Sequence, residues 1–251
     1  MNKTNIFLTA ILISILLLSA CGQRSLQNEM ISLDQVYIPA LFITESGSAE
    51  AAKKAIKTLR QGWENFSIRY YNFRPHDPGW KQTFDLVDQR IYSADKIARS
   101  GKNLGFAYQE LFGVKDLLFK MRRKNNIKYY VDYLIEFNQP LEAIILLTKD
   151  KDPSQLKTED IKNLKWLVER EVSLWNKIAK SEFNSALFGF DWHKSSLMRK
   201  YITAETALLQ KLKREVDEGD LSYIKLSSDD LLANYINLYR LFGDFEGIDK
   251  K

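Results

Sequence analysis

The feature that most constrains this chain is a stripe of apolar residues that recurs in alternating steps of three and four. Between 103 and 124 it runs Leu104, Ala107, Leu111, Val114, Leu118 and Met121. A helix of 3.6 residues per turn gathers those positions on one face, whereas a strand would divide them between two. The same spacing returns as Phe84, Val87, Ile91, Ala94 and Ala98, and as Leu197, Tyr201, Ala204, Leu208, Leu212 and Val216. No stretch alternates with period two. The spacing predicts amphipathic helices over 49–71, 79–101, 103–124, 127–148, 158–181, 191–218 and 227–243, and hence an all-α protein.

The boundaries of these segments are punctuated by residues suited to helix ends. Ser48 can cap the first segment, and Pro75 and Pro78 follow its end. Asn125 and Asn126 tolerate left-handed geometry after the third, and Gly101 and Gly219 close the second and sixth. Asp229 and Asp230 suit the positive dipole end of the last. Pro140 should kink or restart the fourth. Only 11 Gly and 5 Pro occur in 251 residues, which excludes collagen-like and loop-dominated chains.

Seven such segments make one large or two small antiparallel bundles. Residues 149–157, containing Lys149-Asp150-Lys151-Asp152-Pro153-Ser154, form the best linker, dividing a first bundle at 37–148 from a second helical part at 158–251. Trp63 and Trp80 lie seventeen apart, as do Trp175 and Trp192, and Phe73-x-x-His76 matches Phe190-x-x-His193. That register fits a duplicated helical hairpin, and it also fits chance in a chain with five Trp. Residues 21–36 are polar with scattered apolar positions and read as a tether. About 14 flexible residues reach only roughly 20 Å. The run Tyr37-Ile38-Pro39-Ala40-Leu41-Phe42 is too apolar for a tether, and Pro39 argues for an extended strap along the bundle.

The first residues carry an address. Lys3 gives a positive start, and 6–20 is apolar apart from Thr9, Ser14 and Ser19. Such a run is short of the ~20 helical residues that span a hydrocarbon core, and it suits a signal-peptide apolar region. Leu18-Ser19-Ala20-Cys21-Gly22 follows, and it resembles the lipobox of bacterial lipoproteins. The resemblance implies cleavage after residue 20, a diacylglycerol thioether on Cys21 and acylation (palmitate, for example) of its new amine. Gly22, rather than Asp, resembles outer-membrane sorting in Gram-negative bacteria, with the domain facing the periplasm. Cys21 is the only cysteine, so an internal disulfide and a thiolate zinc site are excluded. Loss of Lys3 with the leader leaves 36 basic against 32 acidic side chains, too slight an excess to imply nucleic acid.

Candidate sites are few. In general form the helix pattern resembles the periplasmic cytochrome c-prime and cytochrome b562 bundles. The haem motif Cys-x-x-Cys-His is absent, and His76 or His193 would have to fold inward toward Met121 or Met198 to ligate. A di-iron centre needs Glu-x-x-His, and Phe73 and Phe190 stand where Glu is required. Asp85 and Asp88 lie three apart on one predicted helix. Asp132 and Glu136 lie four apart on another, beside Tyr129, Tyr130 and Tyr133, with Glu142 beyond the proline. Carboxylates among tyrosines could hold a cation or amine, or simply form a hydrogen-bonded polar face. Glu110 lies off its seam and is expected to face solvent.

Lys120, Arg122, Arg123, Lys124 and Lys128 fit a solvated helix C-terminus or an anionic lipid surface. The tail Leu241-Phe242-Gly243-Asp244-Phe245-Glu246-Gly247 is expected to pack back on the bundle or to meet a partner. Its Phe-Gly-Asp-Phe-Glu, with Tyr37-Ile38-Pro39-Ala40-Leu41, resembles segments of proteobacterial periplasmic helical proteins and implies no activity. No nucleophile elbow, phosphate loop or metalloprotease motif occurs. The sequence thus points to a lipid-anchored, non-enzymatic helical protein of the cell envelope that binds a protein partner or small ligand. The alternative is a bundle that binds a metal or cofactor.

Overall fold

The computed structural model describes residues 3–101, 103–149, 151 and 155–246, with side chains from Ser25 onward. The side chain of Cys21, linker residues Asp150 and Asp152 to Ser154, and Gly247 lie outside the described residues. The described residues form α-helices and no strand: α1 (Lys3–Ser46), α2 (Ala49–Tyr70), α3 (Pro78–Arg99), α4 (Leu104–Lys124), α5 (Tyr130–Thr148), α6 (Thr158–Lys180), α7 (Trp192–Glu218) and α8 (Ile224–Arg240), with a 3₁₀ turn at Leu221–Tyr223.

The chain divides into two units, Met1–Lys128 with Gly243–Lys251, and Tyr129–Phe242. In the first, α1 packs on α2, α2 on α3, α3 on α4, and α4 closes the ring on α1. The second repeats this order, α5 to α8, with α8 closing on α5. Each unit is a four-helix bundle joined by short turns, so successive helices run antiparallel. The division falls at 128/129 rather than at 149–157. The predicted linker connects two helices of the same bundle.

Local chemistry explains the helix ends. Ser48 Oγ accepts from Ala51 N (3.2 Å), Asp77 Oδ1 from Gly79 N (3.0 Å), Asn103 Oδ1 from Gly105 N (2.8 Å) and Asp191 Oδ1 from Lys194 N (2.7 Å). Each supplies an acceptor to a first-turn amide that has none inside the helix. After α4, Asn126 adopts φ 54°. Ile127 N then reaches Arg122 O (2.9 Å) and Asn126 N reaches Arg123 O (3.2 Å), the paired bonds of a Schellman turn. Gly219 ends α7 at φ 75°.

The segment expected to be an extended strap is helical. α1 runs through Pro39 without a break. A proline inside a helix removes one N–H and strands the carbonyl four residues earlier. That carbonyl, Gln35 O, accepts instead from Asp244 N of the C-terminal segment (2.8 Å). Gly243 makes this approach possible, because a Cβ there would lie 2.9 Å from Pro39 Cδ and 3.0 Å from Ile38 Cγ2. Tyr-Ile-Pro-Ala-Leu and the Gly243-Asp244-Phe245-Glu246 part of the tail therefore meet within the first unit.

The predicted tether also packs from Leu26 on. Leu26, Met30, Ile31 and Leu33 are buried. Gln27 Nε2 donates to Lys128 O (2.7 Å), and Arg69 pairs with Glu29. α5 likewise passes through Pro140 unbroken, and starts at Tyr130 rather than 127. α8 begins at Ile224, one turn before the predicted position.

The Trp register is only half matched in space. Trp63 and Trp175 are both buried in the second helix of their units. Trp80 is buried and its indole N–H donates to Tyr70 O (2.8 Å), satisfying a carbonyl at the end of α2. Trp192 is 79% exposed. The two units share helix order and an internal proline in their first helix, Pro39 and Pro140.

Gly243→Ala should lower the stability of the first unit by about 1–3 kcal/mol, the usual cost of overpacking a tight contact. Urea unfolding followed by circular dichroism measures it. An unchanged transition would mean that the tail does not dock against Pro39.

Candidate functional site

The sequence-nominated carboxylates lie in different settings. Asp85 and Asp88 are exposed on α3, where Asp85 hydrogen-bonds Tyr71. Asp132 is buried on α5, and Glu136, one turn later, is half-buried. Tyr129 and Tyr130 turn into an aromatic cluster with Phe183, Phe188 and Phe242, at centroid distances of 4.8–6.4 Å. Burial there pushes the Tyr130 hydroxyl up to about 12. Tyr133 meets Tyr130 edge-on at 6.1 Å and also lines an open cleft of about 420 Å³ with Asn176, Lys177, Lys180 and Ser181.

The histidines do not turn inward. His76 and His193 are exposed, and His193 sits in the first turn of α7. Met121 and Met198 are buried in their bundles. An exposed imidazole and a core thioether do not make an axial pair. Among the described residues, no three His, Cys, Asp or Glu side chains come together in a way that could hold a metal ion.

The other charged candidates have structural partners. Glu110 is half-buried and accepts from Arg90 across α3 and α4 (3.0 Å). Lys124 pairs with Asp77 (2.9 Å), and Arg122 is buried rather than solvated.

Sequence reasoning missed the most unusual group of polar residues, which lies inside the second bundle. The α6 face reads Leu164, Leu167, Val168, Glu171, Leu174, Trp175 and Ile178, all buried. The α7 face carries Glu205 among Met198, Leu209, Leu212 and Val216. Both carboxyls are fully enclosed. No protein donor reaches either oxygen of Glu171, and Glu205 Oε1 is equally without one. Glu205 Oε2 accepts from Asn234 Nδ2 on α8 (2.5 Å), and the same amide donates to Tyr201 O (2.9 Å).

An indole one turn from Glu171 and the hydroxyl next to Glu205 in sequence are committed elsewhere. Trp175 Nε1 donates to Thr206 Oγ1 (2.8 Å), which donates to Ile202 O (2.8 Å). Loss of hydration pushes the Glu205 carboxyl up to about 8, against the Asn234 bond, which favours its charged form. Loss of hydration, reinforced by the charge of Glu205, holds Glu171 well above the ordinary range. The signal was present in the sequence: 164, 168, 171, 175 and 178 step by four and three, so Glu171 occupies a core position.

No family model, curated protein or solved structure matches this chain. The site's chemistry therefore rests on its own geometry.

Between about 4.5 and about 8 the folded chain keeps a proton on Glu205 that the unfolded chain has released. Rising pH through that window therefore favours unfolding. Chelator-treated protein should be less stable at pH 8 than at pH 5, by up to about 1.4 kcal/mol per pH unit for each such group. Glu205→Gln should flatten that slope in denaturant titrations. An equally steep slope in the variant would show that Glu205 is not the group responsible.

Proposed function

We propose that this protein is a lipoprotein of the cell envelope, held to its membrane through acylated Cys21, whose helical bundles bind a protein partner or small ligand without catalysing a reaction. The observation that carries the reading is the leader: a positive start, a short apolar run, and Leu18-Ser19-Ala20-Cys21 at its end. One buried methylene contributes ~0.8 kcal/mol and a single chain holds weakly, so several acyl chains on one residue anchor durably. Among the described residues no helix is long and apolar enough to cross a membrane.

Anchoring at Cys21 leaves little slack. Leu26 is already buried in the first bundle, five residues after the modified cysteine. At a helical rise of ~1.5 Å per residue, that span is roughly 8 Å. The first bundle would then stand against the membrane surface. Gly22 after the cysteine favours the outer membrane and the periplasmic side in a Gram-negative cell. For partner contact, the second unit offers two exposed tryptophans, Trp192 at 79% and Trp166 at 54%. Exposed tryptophans are favoured anchors of protein interfaces.

Cells fed radiolabelled fatty acid should incorporate label into this protein, and Cys21→Ala should abolish the incorporation and release the chain from the membrane fraction. Undiminished labelling in the variant would defeat the anchoring.

A further inference from the structure

We infer that Glu171 and Glu205, backed by Asn234, form a binding site for one hard divalent cation of the Mg²⁺ or Mn²⁺ kind in the interior of the second bundle. The inference goes beyond membrane anchoring and is independent of it.

The starting point is an unmet need. Glu171 is fully enclosed, and neither of its oxygens receives a hydrogen bond from the protein. Its neighbour Glu205 is also fully enclosed, with one oxygen in the same condition. No Lys, Arg or His contributes to the field at either carboxyl. An ionised carboxylate in such surroundings carries a desolvation penalty of several kcal/mol unless it is paired. The bundle offers no internal cation: without one the pair sheds its charge by keeping its protons, and a cation from outside would take their place.

The arrangement suits a divalent ion in charge, ligand type and position. Two carboxylates carry two negative charges and four oxygen donors, the ligand type that hard cations prefer. They project from adjacent helices, α6 and α7, into a bundle core, the geometry from which bundle metal sites are built. Asn234 donates to Oε2 of Glu205 and is itself anchored on Tyr201 O. It thereby orients Glu205 as an acceptor, as outer partners do around ligating carboxylates. Two carboxylates rather than three define the site, which is how Mg²⁺ is commonly held, with water completing the shell.

The other candidates are weaker. The cleft at Tyr133, Lys177 and Lys180 is open, and its lysines lie at the C-terminal end of α6, where the helix dipole already favours them. Asp85 and Asp88 are exposed and keep their hydration.

The test titrates Mn²⁺ into the full-length chain, purified in detergent and stripped by chelator, with spin resonance and elemental analysis after desalting as readouts. About one Mn²⁺ per chain should be retained, with a rise of ~5 °C in the unfolding midpoint at saturation. Glu171→Gln and Glu205→Gln should each weaken binding at least about tenfold, and the exposed control Asp85→Asn and the anchor variant Cys21→Ala should leave it unchanged. Wild-type protein that retains no Mn²⁺ overturns the site, and this decides the matter even if a Gln variant does not fold. Equal retention by both Gln variants overturns it too. A chain that ignores Mn²⁺ and is stabilised by Glu171→Gln would identify the pair as neutral acids, which also contradicts the inference.

Discussion

Burial of one apolar stripe per helix is the constraint on which everything else in this protein depends. A single helix of about twenty residues is marginal in water, because most helical stability comes from covering its apolar face. Leu59, Val87, Leu111 and Leu134 are fully covered or nearly so, and each side chain of that size contributes about 1.5–3 kcal/mol on burial. A ring of four helices gives every member two neighbours, so no stripe is left open. Both units adopt this solution with the same helix order, and their charged faces are left to solvent and to pairs such as Arg90 with Glu110.

Such an interior tolerates polar groups only when they are satisfied, and most here are. The Tyr37 hydroxyl donates to Leu111 O (2.8 Å), and the indole of Trp80 occupies the last carbonyl of α2. The backbone gap left by Pro39 is filled by Asp244 N. Against this consistent pattern, the Glu171 carboxylate stands out. It shares an apolar seam with Val168 and Trp175 and has no donor. Single atoms of Trp63, Asn138, Glu215 and Ser227 are also buried without a partner, but only at Glu171 are both carboxyl oxygens in that condition, and Glu205 beside it has one.

The helices were legible in the sequence wherever a signal was local. Ser48 caps the helix it was expected to cap, and Asn126 takes the left-handed turn. The reading failed where the deciding partner was distant. Pro39 argued against a helix because a stranded carbonyl is costly, and the donor that relieves it lies some two hundred residues away at Asp244. Residues 26–36 seemed a tether because their apolar positions are diluted by Asn28, Glu29 and Asp34. The linker at 149–157 looked like a domain boundary, yet it spans two helices of one bundle. Acids spaced along one helix, as Asp132 and Glu136 are, show as a pair in the sequence, whereas Glu171 and Glu205 interact only across α6 and α7.

In the second bundle as inferred above, a divalent cation displaces the protons of Glu171 and Glu205. Infrared difference spectroscopy of the chelated chain, before and after Mg²⁺ at neutral pH, reads their protonation directly, with Glu171→Gln and Glu205→Gln assigning the bands. Mg²⁺ should remove the protonated-carboxyl band and raise a carboxylate band, both absent from the variants. A protonated-carboxyl band that persists unchanged in the presence of Mg²⁺ would contradict the account.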